Sequence, residues 1–257
     1  MKAPVLSMDN KPLEEVELPK VFETPLRPDI IKKAVIAQQS HDLQPQGRDP
    51  MAGKRTTAES WGVGHGIARV PRLRDSRRAA FGVSIVGGRQ AFPPTPEKII
   101  RKEMNKKERR LAIRSGIAAT AVRDVVASRG HVLESVSQLP LIVEDGLQSL
   151  KSTKEVKDLL VKLGVWPDVE RTENRKIRAG RGKTRGRAKR VGKGPLIVVS
   201  EDEGVSKASS NIPGVDVISV RDLNAELLAP GTNPGRLVIW SRSALMSLDE
   251  LWGGSSP

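Results

Sequence analysis

The sequence predicts an α/β fold, a small parallel sheet covered by helices on both faces, together with a long extended loop and a second basic arm. Runs that are apolar throughout predict strands buried on both faces of a sheet. These runs lie at residues 139–143, 196–199, 215–220 and 237–240. Helix-like stretches separate them, and strands that alternate with helices form parallel sheets. The loop (45–96) and the arm (167–194) are predicted by basic composition without a helical or strand-like apolar period.

The N-terminal segment is predicted to add two short strands and the first helix. Residues 4–8 and 14–18 are short β-like runs. Pro28 and Asp29 suit the first turn of a helix, and apolar residues follow at helical spacing to about Asp42.

The stretch from Glu97 to about Ser128 has a helical pattern that changes character midway. Its first half is basic, and its second half consists mostly of small and apolar residues. The expected apolar stripe consists of Leu111, Ala118, Val122 and Val125. We therefore expect one end of this helix to contact an anion while the other end packs on the body.

The C-terminal half is predicted to supply most of the helical layers. Ser152 and Glu155 form a capping box at the start of a helix that Gly164 closes. Further helices are expected near 203–210, 221–228 and 243–252. Residues 1–44 and 97–257 thus form one globular body. The loop is inserted in it, and the basic arm, which has too few apolar residues to bury a core, projects from it or stays disordered until bound.

Composition limits the function classes. The 257 residues carry a formal net charge of +14, only 3% are aromatic, and there is no cysteine. A cysteine-free chain has no disulfide, thiolate metal site or cysteine nucleophile. No run approaches the 18 apolar residues of a membrane span, so a soluble intracellular protein is expected.

The excess of positive charge is concentrated in three segments. Residues 45–96 hold nine basic and three acidic groups, residues 97–116 hold eight and three, and residues 171–194 hold eleven and one, while the rest of the chain is mildly acidic. Such tracts predict a polyanionic partner, and RNA fits better than a membrane because neither the loop nor the arm has an apolar face to insert.

Arginine binds phosphate through its planar fork and stacks on bases, so the basic side chains of these segments are the predicted RNA contacts. In the loop they are Arg48, Lys54, Arg55, Arg69, Arg72, Arg74, Arg77, Arg78 and Arg89. In the helix they are Lys106, Lys107, Arg109, Arg110 and Arg114. In the arm they are Arg175, Lys176, Arg178, Arg181, Lys183, Arg185, Arg187, Lys189 and Arg190. Trp61 is expected to stack on an unpaired base, and Phe81 and Phe92 to form a small apolar cluster at the base of the loop.

No catalytic, cofactor or metal site is predicted. Gly182-Lys183-Thr184 and the glycines of 62–66 resemble nucleotide-binding loops only in part, and no strand leads into either. His41, His65 and His131 have no metal-ligand spacing, and the acidic groups at 144–145 and 201–203 are expected to cap helices and turns. We expect neither an enzyme nor a small-molecule substrate.

Several longer segments carry a joint resemblance that none of these short motifs has. They are AESWGVGHGIARVPR (58–72), GGRQAFPP (87–94), NKKERRLAIRSGIAATA (105–121), GHVLESVSQLPLIVED (130–145), RAGRGKTRGRAKR (178–190), NIPGVD (211–216), LLAPGTNPGRLVIW (227–240) and LDELWG (248–253). In this order they resemble the large-subunit ribosomal protein L-four family. The second basic arm and the chain through LDELWG resemble its archaeal and eukaryotic branch.

The resemblance implies a structural component of the large ribosomal subunit in the cytoplasm, present in one copy per ribosome, whose partners are large-subunit rRNA and neighbouring large-subunit proteins. It implies an α/β body on the outside of the subunit and a loop that threads into rRNA toward the narrow part of the nascent-peptide exit tunnel. The loop tip, and with it the contact to nascent peptide, falls on Gly62, Val63, Gly64, His65 and Gly66. In the family, the positions of Val63 and His65 are more often threonine and a cation.

Two alternatives use the same basic segments. One is an RNA-modifying enzyme with RNA-binding arms, which would need a cofactor loop after a strand or a paired acid and base. The other is an RNA-binding α/β protein that acts away from the ribosome.

Overall fold

The computed structural model describes residues 2–253, and the chain divides into two compact units. The body comprises residues 1–39 and 103–257, and the loop unit comprises residues 40–102. Across residues 2–253, no helix combines the length and the apolar composition that a membrane span requires.

The body is built on a six-stranded sheet. Its strands are β1 (Lys2–Leu6), β2 (Pro12–Glu17), β3 (Leu141–Val143), β6 (Leu196–Val199), β7 (Asp216–Ser219) and β8 (Val238–Ser241), while β4 and β5 form a separate hairpin described below. The order across the sheet is β2-β1-β3-β8-β6-β7. All neighbours pair in parallel except β1 and β2, which form an antiparallel hairpin at one edge. The predicted parallel sheet is therefore confirmed. The strands β6, β7 and β8 lie at or within one residue of the predicted runs, whereas β3 omits Leu139 and Pro140 and the two N-terminal strands begin two residues before the predicted 4–8 and 14–18.

Helices cover both faces of this sheet. They are α1 (Pro28–His41), α2 (Lys106–Ala121), α3 (Arg123–Ser128), α4 (Thr153–Lys162), α5 (Trp166–Glu173), α6 (Val205–Ser209), α7 (Ala225–Leu228) and α8 (Arg242–Trp252). Successive strand residues point to opposite faces, so Ile142 joins the core of α1, α2, α7 and α8, whereas Leu141 joins the core of α3 to α6. Both cores consist mainly of aliphatic side chains, and the buried rings of Phe22 and Trp240 lie in the first of them.

Local signals fix several helix ends as predicted. Ser152 Oγ accepts from Lys154 N at 3.3 Å while Glu155 reaches back to Ser152 N, so α4 begins with the expected capping box. Gly164 closes it with φ of +71°. Asp202 accepts hydrogen bonds from Gly204 N and Ser206 N, which confirms the capping role expected for this acidic group.

The helix predicted from Glu97 is shorter and broken. Asn105 has extended backbone angles, so α2 begins at Lys106, and Ile99 upstream is 90% exposed with nothing to pack against. Val122 is again extended and separates α2 from α3.

The predicted stripe is confirmed only in part: Ala118 is buried and Leu111 and Val125 are half-buried, but Val122 is exposed. The buried side of α2 also carries Ile113, Gly116, Ile117 and Thr120. A Cβ on Gly116 would lie 3.2 Å from Leu228 Cδ1, so a small residue lets α7 pack closely on α2.

The segment expected to form the arm begins differently as well. Residues 167–173 belong to α5, whose Asp168, Val169 and Thr172 are buried in the body. The following residues form a hairpin of two short strands, β4 (Lys176–Ile177) and β5 (Lys189–Arg190), paired antiparallel. We refer to residues 174–190 as the hairpin.

The loop unit contains no helix or strand between residues 42 and 102, all of which are described. Isolated bridges join Glu59 to Arg72 and Arg72 to Ala79. Gly53 has φ of +75°, and a Cβ there would lie 2.5 Å from the Gly88 carbonyl, so two distant stretches meet in backbone contact. The lack of apolar periodicity therefore corresponds to a chain held by turns and backbone contacts.

Candidate nucleic-acid interface

The hairpin carries the densest charge of the body. Its 17 residues include nine lysines and arginines and no acidic residue. All nine are exposed, and within residues 2–253 none forms a salt bridge. Local bonds shape its end: Arg178 Nε donates to Arg187 O at 3.1 Å, and Thr184 Oγ1 donates to Arg181 O at 2.9 Å. Like charges held this close repel one another, so the hairpin favours binding an external anion.

A buried ionic network anchors the start of the hairpin. Asp168 is fully buried in α5, and its carboxylate lies 2.8 Å from His131 Nδ1 and 2.9 Å from Arg171 Nε. Burial by itself raises the pKa of Asp168, but the hydrogen bonds from His131 and Arg171 outweigh it and hold that pKa below its usual value. Arg171 Nη2 also donates to Lys193 O at 2.8 Å, which ties the chain that follows the hairpin to α5.

A buried arginine fixes the chain where it re-enters the sheet. Arg236 is fully buried, and its guanidinium donates to four backbone carbonyls and to Asp216 Oδ2, the last at 2.6 Å. Asp216 is also paired with Lys193 Nζ at 3.0 Å. Burial raises the pKa of Asp216, and the charges of Arg236 and Lys193 more than reverse this, so the pKa is lowered. Neither network was predicted from the sequence.

The first half of α2 presents a second basic surface. Lys106 and Lys107 lie in its first turn, where the helix dipole disfavours cations. Glu108 of the same turn is paired with Lys33 at 2.7 Å, so it does not compensate the two lysines. Lys106 and Lys107 are therefore available to an external anion. Arg114 differs from them, because it is half-buried and its Nε donates to the Trp252 carbonyl oxygen.

The predicted cations of the loop unit are mostly open to solvent. Exposed are Arg48, Lys54, Arg55, Arg69, Arg74, Arg77 and Arg78, while Arg72 and Arg89 are half-buried. Both terminal nitrogens of the Arg55 guanidinium donate to the Asp49 carboxylate, and Arg74 Nη2 lies 3.2 Å from Glu59 Oε2. Two of the nine cations are therefore paired with an acidic residue within the unit.

Residues 60–69 form an exposed turn around Trp61. The His65 ring meets the half-buried Trp61 ring edge-on at 5.9 Å, and the Arg77 guanidinium lies 5.9 Å from the same ring. Val63 is 75% exposed. Gly64 has φ of +91°, and no atom lies within 4 Å of a Cβ placed there. A half-buried indole beside an imidazole and a guanidinium suits stacking on an unpaired base.

The cluster expected at the base of the loop is absent from the described structure. Phe92 is 91% exposed, and Phe81 is 37% exposed and packs against the Arg89 guanidinium at 5.8 Å. With no helix or strand in this unit, no apolar layer exists to bury the two rings.

The residues considered for catalysis have structural partners. Gly182-Lys183-Thr184 lies in the turn of the exposed hairpin rather than between a buried strand and a helix. Asp145 accepts hydrogen bonds from Ser243 N and Ser243 Oγ near the start of α8, and Glu144 accepts one from Met8 N. In the described part of the chain, no three histidine or acidic side chains are grouped as metal ligands.

Comparisons with known proteins agree on one family. Residues 16–251 match the ribosomal protein L4/L1 family. The chain is 49% identical over 252 residues to a protein of Methanosphaera stadtmanae named large ribosomal subunit protein uL4, covering 98% of this chain and 97% of that one. Proteins with the same name from Archaeoglobus fulgidus (51%, covering 97% and 99%) and Methanopyrus kandleri (48%, covering 98% and 100%) are equally similar.

Proposed function

The chain belongs to the ribosomal protein L4/L1 family, and from this membership we propose that it is a structural, RNA-binding component of the large ribosomal subunit. It acts in the cytoplasm, in one copy per ribosome, beside neighbouring large-subunit proteins. The single observation that carries its RNA-binding role is the hairpin, with nine exposed cations and no acidic residue.

Neutralisation of phosphate is the proposed mechanism. Folded rRNA concentrates negative charge in the interior of the subunit, and each phosphate that a lysine or arginine neutralises releases a bound counterion. The hairpin, the first half of α2 and the loop unit supply such cations without requiring a hydrophobic core of their own. The body provides the folded base to which the hairpin is attached.

The loop unit is proposed to thread into rRNA with residues 62–66 at its tip, facing the nascent peptide in the exit tunnel. Support comes from the exposure of these residues and from glycines with positive φ at 62, 64 and 66. At position 65 this chain carries an imidazole where the family more often has a cation.

The two alternatives receive no support from the comparisons. The family is a structural one, and the relatives are named as proteins of the large ribosomal subunit. We therefore propose that the chain itself is not an enzyme and takes neither a cofactor nor a small-molecule substrate.

Binding to deproteinised archaeal large-subunit rRNA is expected to weaken steeply with salt. Changing Arg181, Lys183, Arg185 and Arg187 to glutamine should reduce the slope of log K against log salt by about 3, since each lost phosphate contact removes roughly 0.7–0.9. Filter binding over a salt series measures the slope. Glutamine at the exposed body residues Lys11, Lys20, Lys154 and Lys207 gives the matched control with the same net charge. Equal slopes for both variants would contradict the role of the hairpin.

Deleting residues 55–80 and closing the gap with a short Gly-Ser linker is expected to leave the body folded, because both of its cores lie outside the deleted segment. The shortened chain should no longer be incorporated into the large ribosomal subunit. A tagged copy in an archaeal host is followed by cosedimentation with large subunits washed at high salt, and circular dichroism checks the fold. Full incorporation of the shortened chain would refute the assembly role of the loop unit.

A further inference from the structure

A cavity of about 680 Å³ lies inside the loop unit. Three stretches of chain surround it, at residues 51–57, 73–80 and 86–87. Backbone contacts hold these stretches: Ala80 N donates to Pro71 O at 2.9 Å, and Gly53 packs directly on Gly88. Backbone contacts therefore hold together the separate stretches that line the cavity.

One side of the cavity is apolar, with a polar group at its border. Met51, Leu73 and Ala80 supply the apolar lining, and Met51 is 46% exposed, so this surface is open to solvent in the free chain. Thr57, an exposed residue, also lines the cavity and adds a hydroxyl group. Such a lining favours a flat, partly apolar group with polar edges.

The charge beside this lining comes from one arginine. Arg55 and Arg78 both border the cavity, but Arg55 is compensated by its two-fold pair with Asp49. Arg78 donates only weakly, from Nη2 to Val86 O at 3.4 Å, and has no acidic partner in residues 2–253. The remaining N–H groups of Arg78 can therefore bind one anion.

We propose that this cavity receives one unpaired nucleotide of the bound RNA, with its base against Met51, Leu73 and Ala80 and its phosphate on Arg78. The volume suits one nucleotide, since sites for small ligands measure roughly 300–1,000 Å³. Proteins recognise RNA chiefly through bases that are splayed out of a helix. A single free cation beside the lining matches one phosphate of a strand better than the several phosphates of a free nucleoside triphosphate.

This inference rests on the proposed RNA-binding function, and its test separates the two. The full chain is titrated, by fluorescence anisotropy, with short strands of oligouridine, oligoadenosine and oligocytidine and with an abasic ribose-phosphate strand of equal length. Ala80→Leu fills the cavity without changing the charge. It should weaken the tightest base-containing strand by about fivefold, toward the abasic strand, which lacks the base contact. Binding of the abasic strand should not change.

Ala68→Leu, at an exposed position that does not line the cavity, is the matched control and should bind like the original chain. In the unsubstituted chain, photo-crosslinking of a 4-thiouridine strand should label residues 51–57 or 73–80. This second readout holds even where Ala80→Leu disturbs the fold. An Ala80→Leu variant that binds every strand with the same affinity as the unsubstituted chain would overturn the cavity assignment, and so would crosslinks confined to the hairpin. If the unsubstituted chain does not bind large-subunit rRNA at all, the proposed function itself would be overturned.

Discussion

Replacing Asp168 with alanine is expected to lower the free energy of unfolding by about 3–5 kcal/mol, because it removes one partner of a buried ionic network. The change leaves His131 Nδ1, Val132 N and the Arg171 guanidinium without the carboxylate that they share. Chemical denaturation of the full chain, followed by circular dichroism, measures the loss. Hydrogen exchange should also become faster around Lys193, whose carbonyl Arg171 holds.

Glu170→Ala is the matched control, since Glu170 lies on the exposed side of the same helix. Its effect should stay within about 0.5 kcal/mol. A loss at Asp168 no larger than this would show that the network contributes nothing to stability.

The contribution of Asp168 also depends on pH. Its pKa is lowered in the folded chain, so the stabilisation is fully present above the unfolded pKa of about 3.9 and is lost as the pH falls through the lower folded value. The difference in stability between the original chain and Asp168→Asn should therefore be constant near neutral pH and shrink in acid. A difference that grows in acid would contradict the lowered pKa.

The sheet was predictable because its signal is local. A strand buried on both faces must be apolar at every position, and 196–199 and 237–240 show this without reference to any partner. The basic surfaces were predictable for a related reason, since an exposed cation needs no partner elsewhere in the chain. The capping box of α4 is likewise complete within four residues.

What the sequence did not reveal depends on contacts between distant residues. His131 and Asp168 are separated by 37 positions, and nothing near either one signals that they meet. Asp168 also stands at the start of a strongly basic stretch, so charge alone extended the predicted arm into α5. A Trp-Pro step, which places proline in the first turn of a helix, was the signal that favoured α5. The cavity of the loop unit is equally nonlocal, because its lining comes from three separate stretches.

Replacing Arg236 with methionine is expected to cost about 4 kcal/mol, at roughly 1 kcal/mol for each of four buried carbonyl oxygens that lose their donor. Asp216 retains Lys193, so no uncompensated carboxylate adds to this cost. Arg236→Lys keeps the charge but offers fewer donors than a guanidinium, and its loss should be intermediate.

Arg242→Met makes the same chemical change at an exposed site, where the arginine is paired with Glu14 at 2.8 Å. Its cost should be about 0–1 kcal/mol, as for other surface pairs. Denaturation of the three variants under one set of conditions gives the comparison. Equal losses at Arg236 and Arg242 would mean that the buried carbonyls are satisfied without the guanidinium. A large loss at Arg236 alone would instead show that this buried side chain helps to hold the chain in place where it re-enters the sheet after the hairpin.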